Sequence, residues 1–133
     1  MNIKEAEIVP YHVSSIPHAR IVVVFAPHPD DEVFGCGGAL ALHAKAGHTV
    51  HVVLLTAGDR KPDGVSDPEY ANLRLIESAA AAAILGIAAP ECWKLPDRTV
   101  GYGESLVERI MGAIVAADAD VVYAPSLWES HPD

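Results

Sequence analysis

Residues 28–32 read His-Pro-Asp-Asp-Glu, so four of the five side chains can bind a metal ion or move a proton. In a turn, residues i and i+3 can point to the same side, and His28 and Asp31 can therefore chelate one ion together. Pro29 stiffens this turn because its ring fixes one backbone torsion. An imidazole nitrogen beside a carboxylate oxygen suits Zn²⁺, although another divalent transition metal would also fit. The pattern predicts a metal site with His28 and Asp31 as ligands.

Asp30 has a different predicted role, because the side chains of adjacent residues diverge and Asp30 cannot easily share the ion with Asp31. We expect Asp30 to accept a proton from metal-bound water. Glu32 would lie in the first turn of the following helix, where the helix dipole favours a negative charge. Another interpretation stays open, in which the three acids form a solvated turn that caps the helix and His28 binds no metal. Two ligands also do not complete a zinc site.

The elements that must position this turn can be predicted from apolar runs on either side of it. Runs at 20–26 and 48–56 are rich in Val, Ile and Leu, which indicates strands buried on both faces. With a helix at 35–47 between them, they predict a parallel pair with a right-handed crossover. Further elements are predicted as a helix at 67–86, a strand at 91–95, a helix at 103–117 and a strand at 120–124. The His28 turn would follow the end of a strand, where open α/β sheets bind their ligands.

The helix at 67–86 has clear end signals. Asp67 can cap it, and Pro68 suits its first turn. Arg74 and Glu77 lie three residues apart on one face and could form an ion pair. We expect the apolar residues that recur at helical spacing to face the sheet; these are Leu73, Ile76, Ala80, Ala83 and Ile84.

The remaining segments carry weaker signals. The loop at 57–68, rich in Gly, Pro and charge, is interpreted either as a wall or lid over a pocket or as an ordinary surface connection. His43 and His48 flank the end of the helix at 35–47 and are interpreted as surface or cap residues. Residues 1–18 are predicted to form an irregular arm with a short strand at 6–10.

Length, charge and cysteine content restrict the possible functions. With 133 residues the chain forms one domain at most. Its formal net charge of -9 argues against nucleic acid and against an anionic membrane surface as partners. Cys36 and Cys92 follow no zinc-ribbon or redox spacing, so we expect reduced thiols. The N-terminus is too polar for a signal peptide and no apolar run approaches membrane-spanning length, so we expect a cytoplasmic protein.

Residues 26–38, Ala-Pro-His-Pro-Asp-Asp-Glu-Val-Phe-Gly-Cys-Gly-Gly, resemble the signature of the PIG-L/LmbE-like family of zinc-dependent N-deacetylases. The resemblance continues in Arg-Leu-Ile-Glu at 74–77 and Leu-Gly-Ile at 85–87. It returns in Ala-Pro-Ser-Leu-Trp-Glu-Ser-His-Pro-Asp at 124–133. The order and spacing of these blocks are similar to those of the family, and the blocks span most of residues 20–133.

The resemblance implies a zinc-dependent hydrolase that removes an N-acetyl or other N-acyl group from a small molecule containing an amino sugar, such as N-acetylglucosamine. It implies that Arg74 orients the substrate or neighbouring carboxylates, and that Asp97 hydrogen-bonds sugar hydroxyls. His131 would stabilise the oxyanion or protonate the departing amine. The alternatives are an ordinary turn aspartate at 97 and a solvated loop histidine at 131. A homo-oligomer is compatible with these expectations.

In the family the last block reads His-Pro-Asp-His, and its final histidine is the third zinc ligand. That residue would follow Asp133, so we expect residues 1–133 to be a single deacetylase domain truncated at this point. The resemblance implies an α/β, Rossmann-like three-layer sandwich with a mostly parallel sheet, incomplete at the C-terminus. Two other functions stay open, namely a sugar- or metal-binding module without catalysis, and an inactive fragment that associates through an exposed sheet edge.

Overall fold

The computed structural model describes residues 15–126, 131 and 133. Within these residues, strands and helices alternate along the chain in the predicted order. They are β1 (Ile21–Ala26), α1 (Asp31–Lys45), β2 (Thr49–Thr56), α2 (Pro68–Leu85), β3 (Glu91–Leu95), α3 (Glu104–Ala117) and β4 (Val121–Tyr123). The largest boundary difference is in α1, which begins at Asp31, directly after the predicted metal turn. The strand expected at 6–10 lies outside the described residues.

The four strands form one sheet in the order β3-β2-β1-β4, and all neighbouring strands are parallel. Val24 at the centre of β1 pairs with Val52 of β2 on one side and with Tyr123 of β4 on the other. A parallel sheet of this kind must be covered on both faces. The predicted α/β fold with a parallel sheet is therefore confirmed.

Two apolar clusters cover the two faces of the sheet, because successive strand residues point in opposite directions. On one face, Val22, Val24 and Leu54 pack with Leu40 of α1, and Leu75 of α2 contacts the same cluster. On the other face, residues of β1, β2 and β3 pack against α3, and these are Val23, Phe25, Val53, Leu55 and Trp93 with Leu106, Ile110 and Ile114. The helices thus form the outer layers of a three-layer sandwich.

The strand order creates a switch point beside β1. From β1 the chain moves through α1 to β2 and then through α2 to β3, in one direction along the sheet. It then returns through α3 on the opposite face and adds β4 to the other edge of β1. At such a switch point, open α/β sheets form a crevice at the carboxyl ends of the strands, where ligands bind. The His28 turn lies at this crevice.

The ends of α2 are as predicted, but the predicted buried face is wrong. Asp67 accepts hydrogen bonds from the backbone N–H groups of Glu69 and Tyr70, and Gly86 ends the helix in the left-handed conformation. Ala71, Ser78 and Ala82 are the buried residues of this helix. The residues expected on that face are exposed instead, and these are Leu73, Ile76, Ala80, Ala83 and Ile84.

The error has a physical reason. This alanine-rich helix carries apolar residues on all sides. Two different faces of it therefore show apolar residues at helical spacing. The buried face combines small residues, which allow close packing on the sheet, with contacts from Leu75 and Leu85 to the core. It also directs Arg74 and Ser78 towards the turn at 28–32. Local hydrophobicity could not select this face.

His43 is also placed differently from the prediction. It is fully buried, with Nδ1 located 2.8 Å from Nδ1 of His48 and Nε2 3.0 Å from the hydroxyl of Tyr123. Burial lowers the pKa of His43, and the nearby His48 lowers it further. His43 is therefore a core residue that links the end of α1 to β4, rather than a surface or cap histidine.

Two further findings concern the chain as a whole. Cys36 and Cys92 are both half-buried free thiols. Of the helices in the part of the chain that the structure describes, none has both the length and the apolar character needed to cross a membrane.

Candidate metal and catalytic site

The turn between β1 and α1 has an unusual backbone. Asp30, the residue before α1, has φ = 113°, in the left-handed region that non-glycine residues rarely occupy. Such a conformation costs about 1–3 kcal/mol, so surrounding contacts must hold it. The carbonyl of Asp30 accepts hydrogen bonds from the N–H groups of Val33 and Phe34, which begins the helix. This geometry places His28 and Asp31 on either side of a constrained residue.

The His28 ring is surrounded by three carboxylates. Its Nδ1 is 3.1 Å from Oδ2 of Asp31, as the i, i+3 spacing predicts. Its Nε2 is 3.1 Å from Oδ2 of Asp133 and 3.3 Å from Oδ1 of Asp97. The ring of His131 lies edge-on, with its centroid 4.7 Å from that of His28. The structure therefore brings together His28, Asp31, Asp97 and His131, all of which the sequence analysis selected.

Ligand atoms of His28, His131 and Asp133 all lie within 4.8 Å of one another, a grouping that could hold a metal ion. Asp31 faces the other ring nitrogen of His28. An ion on the Nδ1 side would have His28 and Asp31 as ligands. An ion on the Nε2 side would leave Asp31 to orient the ring, as carboxylates behind metal-bound histidines commonly do. Either arrangement uses nitrogen and oxygen donors that suit Zn²⁺.

The charges of the cluster also fit a divalent cation. Asp31 raises the pKa of His28 through a hydrogen bond, against the effect of burial, and Asp133 adds to the increase. The same bond lowers the pKa of Asp31. A histidine that binds a metal ion must be neutral, so His28 would not offset the carboxylates of Asp31, Asp97 and Asp133 in the metal-bound state. A divalent cation would offset part of this negative charge.

Asp133 received no role in the sequence analysis, although its contacts are among the most extensive in the cluster. Its fully buried side chain accepts hydrogen bonds from the backbone N–H groups of Arg98 at 2.5 Å and Val100 at 3.0 Å. Burial opposes its ionisation, yet these N–H groups and His28 hold its pKa below the usual range. Its position two residues after His131 was the available signal, because it puts a second metal-ligand type into the same short segment.

Arg74 fixes the turn from the side of α2. Its guanidinium donates to the carbonyl of Pro29 at 2.6 Å, to the carboxylate of Asp30 at 3.1 Å and to the carbonyl of Gly58 at 3.1 Å. The sequence left open whether Arg74 pairs with Glu77 or borders the site, and these contacts place it at the site. A methyl group at Gly58 would overlap the guanidinium, so any side chain at this position would have to displace the end of Arg74.

Glu32 and Ser78 are two further residues to which the sequence analysis gave no role in the site. Glu32 is buried at the start of α1, where one carboxylate oxygen accepts a 2.5 Å hydrogen bond from the Ser78 hydroxyl. The other oxygen accepts a 3.0 Å bond from the N–H of Asp30. The position of Ser78, four residues after Arg74, was a usable signal because residues i and i+4 share a helix face.

A cavity of about 450 Å³ opens beside the cluster. Its polar side includes His28, Asp31, Glu32, His131 and Asp133, and its wall includes Phe34, Cys36 and Tyr123. The mixture of apolar walls with a few converging polar groups is typical of small-molecule sites. Among the described residues, Asp30, Arg74 and Asp97 do not line this cavity. Asp97 is almost completely buried, accepts a hydrogen bond from the Arg60 N–H and lines a second cavity of about 450 Å³ next to the loop at 57–68.

Comparison with known proteins supports the family resemblance. The family model described as PIG-L, GlcNAc-PI de-N-acetylase, matches residues 23–133. Diacetylchitobiose deacetylase of Thermococcus kodakarensis is 33% identical over 117 residues, which cover 84% of this chain and 44% of the relative. The 4-oxalmesaconate hydratase of Pseudomonas putida is 30% identical over 119 residues, covering 84% of this chain and 46% of the relative.

The fold is shared with solved structures of the same group. The N,N'-diacetylchitobiose deacetylase from Pyrococcus horikoshii superposes with a TM-score of 0.76 at 28% identity, covering 86% of this chain and 45% of that one. The chain thus spans less than half the length of these relatives. Because the family model matches residues 23–133, which are most of the chain, this chain belongs to the PIG-L (GlcNAc-PI de-N-acetylase) family.

Proposed function

We propose that this chain carries the core of the active site of a metal-dependent hydrolase that removes an N-acetyl group from a small molecule containing an amino sugar, such as an N-acetylglucosamine unit. The observation that carries the proposal is the cluster of His28, Asp31, His131 and Asp133, which faces one cavity at the carboxyl ends of β1 and β4. The diacetylchitobiose deacetylase relative supports the choice of an acetylated amino sugar as substrate.

The proposed metal is Zn²⁺, with His28 and Asp31 as ligands and with His131 and Asp133 as the further donors nearby. Such an ion, when bound, polarises a carbonyl group and makes water a better nucleophile. The mutual hydrogen bond of His28 and Asp31, which fixes the orientation of both side chains, supports this assignment.

The protein groups would divide the proton transfers between them. Asp30 takes a proton from the attacking water while Arg74 holds its carboxylate in place. The water oxygen bonds to the acyl carbon, the carbon–nitrogen bond breaks, and the amine leaves with a proton. His131 stabilises the oxyanion or supplies that proton. Asp97 is proposed to accept a hydrogen bond from a sugar hydroxyl, which requires its present bond to the Arg60 N–H to be shared or exchanged.

Acetate release from N-acetylglucosamine and from N,N'-diacetylchitobiose tests this function directly. We expect equal amounts of acetate and free amine from zinc-loaded protein, loss of both after chelation, and recovery when Zn²⁺ is returned. Activity that survives chelation would contradict the metal requirement. Saturable sugar binding by zinc-loaded protein without acetate release would instead identify a non-catalytic sugar-binding module.

A second candidate function is the addition of water to a carbon–carbon double bond. The hydratase of Pseudomonas putida favours it, because this relative covers as much of the chain as the deacetylase does. The same site could activate water for either reaction. A parallel assay with 4-oxalmesaconate separates the two, because hydration removes the absorbance of the conjugated double bond without releasing acetate. Metal-dependent hydration with no acetate release would replace the deacetylase assignment.

We also propose a cytoplasmic location, which rests on cysteine usage. Cys36 and Cys92 are free thiols, and reducing compartments preserve thiols in this state. The proposed partner is a small-molecule amino sugar or glycoside.

A further inference from the structure

We propose that Ser78 is a positioning residue of this site, because through the buried carboxylate of Glu32 it fixes the backbone of Asp30. The inference rests on the proposed function only in so far as Asp30 is the general base. The chain of contacts, meaning the hydrogen bonds that run from α2 through α1 to the turn, is present whichever reaction the site catalyses.

Glu32 is the centre of this chain of contacts. Its side chain is buried, so each carboxylate oxygen needs a hydrogen-bond donor to offset the loss of water. Oε1 accepts from the Ser78 hydroxyl at 2.5 Å, and Oε2 accepts from the Asp30 N–H at 3.0 Å. By holding one oxygen, Ser78 sets the direction of the other. A hydroxyl on α2 therefore determines where the Asp30 N–H finds its acceptor.

Asp30 needs such an anchor more than most helix-capping residues do. Its φ of 113° is unfavourable for an L-amino acid, and its own side chain makes no capping bond to the helix. The carboxylate contacts Arg74 instead. Glu32 reaches back to the N–H of the residue before the helix, as the acidic residue of a capping box does. Without that acceptor, the turn would have one fewer restraint against relaxing to an ordinary backbone conformation.

Arg74 and Ser78 lie four residues apart and share one face of α2. Arg74 donates to the carboxylate of Asp30, and Ser78 acts on the N–H of the same residue through Glu32. One helix face therefore restrains both the side chain and the backbone of Asp30. Ser78 directly precedes a run of five alanines, none of which could provide this hydrogen bond.

The first test is the hydrogen exchange of the Asp30 amide in Ser78→Ala, measured by NMR on the metal-loaded protein. Alanine is the better helix former, so α2 itself should be preserved. We expect the protection of the Asp30 amide to fall about tenfold or more, since a hydrogen bond to a charged acceptor is weakened. Ser78→Thr retains a hydroxyl and should restore the protection. Ala82→Gly, at a buried position one turn further along α2, is the matched control and should leave the Asp30 amide unchanged.

The second test is kinetic and uses the acetate-release assay. We expect Ser78→Ala to lower kcat by about tenfold to a hundredfold, because a catalytic group is slightly misplaced. KM should stay within about twofold, because the hydroxyl does not bind substrate. Glu32→Gln should cause a similar loss, and the double variant little more, because both residues act through one chain of contacts.

The two tests separate this inference from the proposed function. An unchanged hydrogen-exchange rate of the Asp30 amide in Ser78→Ala would overturn the inference, whatever the activity of the variant. If exchange increases as expected but the unmodified protein releases no acetate, the positioning chain is supported and only the hydrolase proposal fails.

Discussion

His28 is the residue on which the candidate site depends, because one imidazole contacts three carboxylates from three parts of the chain. Asp31 comes from the same turn, Asp97 follows β3, and Asp133 follows β4. Only the first of these contacts follows from local spacing. The other two exist because the parallel sheet brings the carboxyl ends of its strands to one edge.

Substitutions at His28 and Asp30 should separate metal binding from proton transfer. His28→Ala removes a ligand, so we expect zinc to be lost on dialysis, as measured by metal content. Asp30→Asn should retain the metal but lower the acetate-release rate about 10²–10⁴-fold, the usual contribution of a general base. Asp63→Asn, in the exposed loop, is the control and should change neither property. Full turnover by Asp30→Asn would exclude Asp30 as the base.

His43 should make the stability of the protein depend on pH. Its pKa is lowered in the folded state by burial and by His48, and its other close polar partner is the hydroxyl of Tyr123, which lies near the thiol of Cys36. The folded state therefore favours neutral His43. Its contribution to the free energy of unfolding is fully present above the unfolded pKa of about 6.5. It is lost as pH falls below that value towards the lower folded pKa.

Urea denaturation at pH 7.5 and pH 5.5 measures this effect. We expect the unmodified protein to lose more of its free energy of unfolding between these pH values than His43→Gln does. His51→Gln, at an exposed histidine of β2, is the control and should keep the pH dependence of the unmodified protein. Identical pH dependence in His43→Gln would show that His43 titrates alike in the folded and unfolded chains.

At the scale of elements, α2 and the loop at 57–68 act together on the turn before α1. Arg74 reaches the turn only because Gly58 leaves room for its guanidinium and offers a carbonyl group to it. The loop has an additional restraint in the hydrogen bond from the Arg60 N–H to Asp97. It therefore forms part of the support of the site as well as a connection between β2 and α2.

Two glycine substitutions test this arrangement. Gly58→Ala should displace the flexible end of Arg74 and lower turnover about as much as Arg74→Ala does, with the fold preserved. Gly47→Ala is a matched control, because Gly47 also has positive φ but no neighbour that a methyl group would meet. Both variants carry the cost of a left-handed alanine, and only the first should affect activity. Equal activity in the two variants would show that Arg74 does not need its present position.

At the scale of the whole molecule, stability depends on two cores separated by one sheet. Leu54→Ala removes a fully buried side chain and should lower the free energy of unfolding by about 2–5 kcal/mol in urea denaturation. Ile84→Ala changes a side chain that is 88% exposed, and the effect should stay within about 0.5 kcal/mol. A large loss at Ile84 would mean that this exposed face of α2 is buried against another surface in solution.

The order of the elements could be predicted from the sequence alone. So could the ends of α2 and the closeness of His28 to Asp31. Each of these depends on residues close together in the chain, through hydrophobic period, helix capping or the geometry of one turn. The resemblance to the family also selected Arg74, Asp97 and His131, all of which the structure places at or next to the His28 cluster.

Long-range packing, which local sequence patterns do not reveal, selects the buried face of α2 and places His43 in the core. It also brings Ser78 and Asp133 into contact with the site. These features depend on which surfaces meet when β4 pairs beside β1 and the helices cover opposite faces of the sheet. An alanine-rich helix offers several apolar faces of similar energy. The choice among them is made by close packing and by the hydrogen bonds that buried polar groups require.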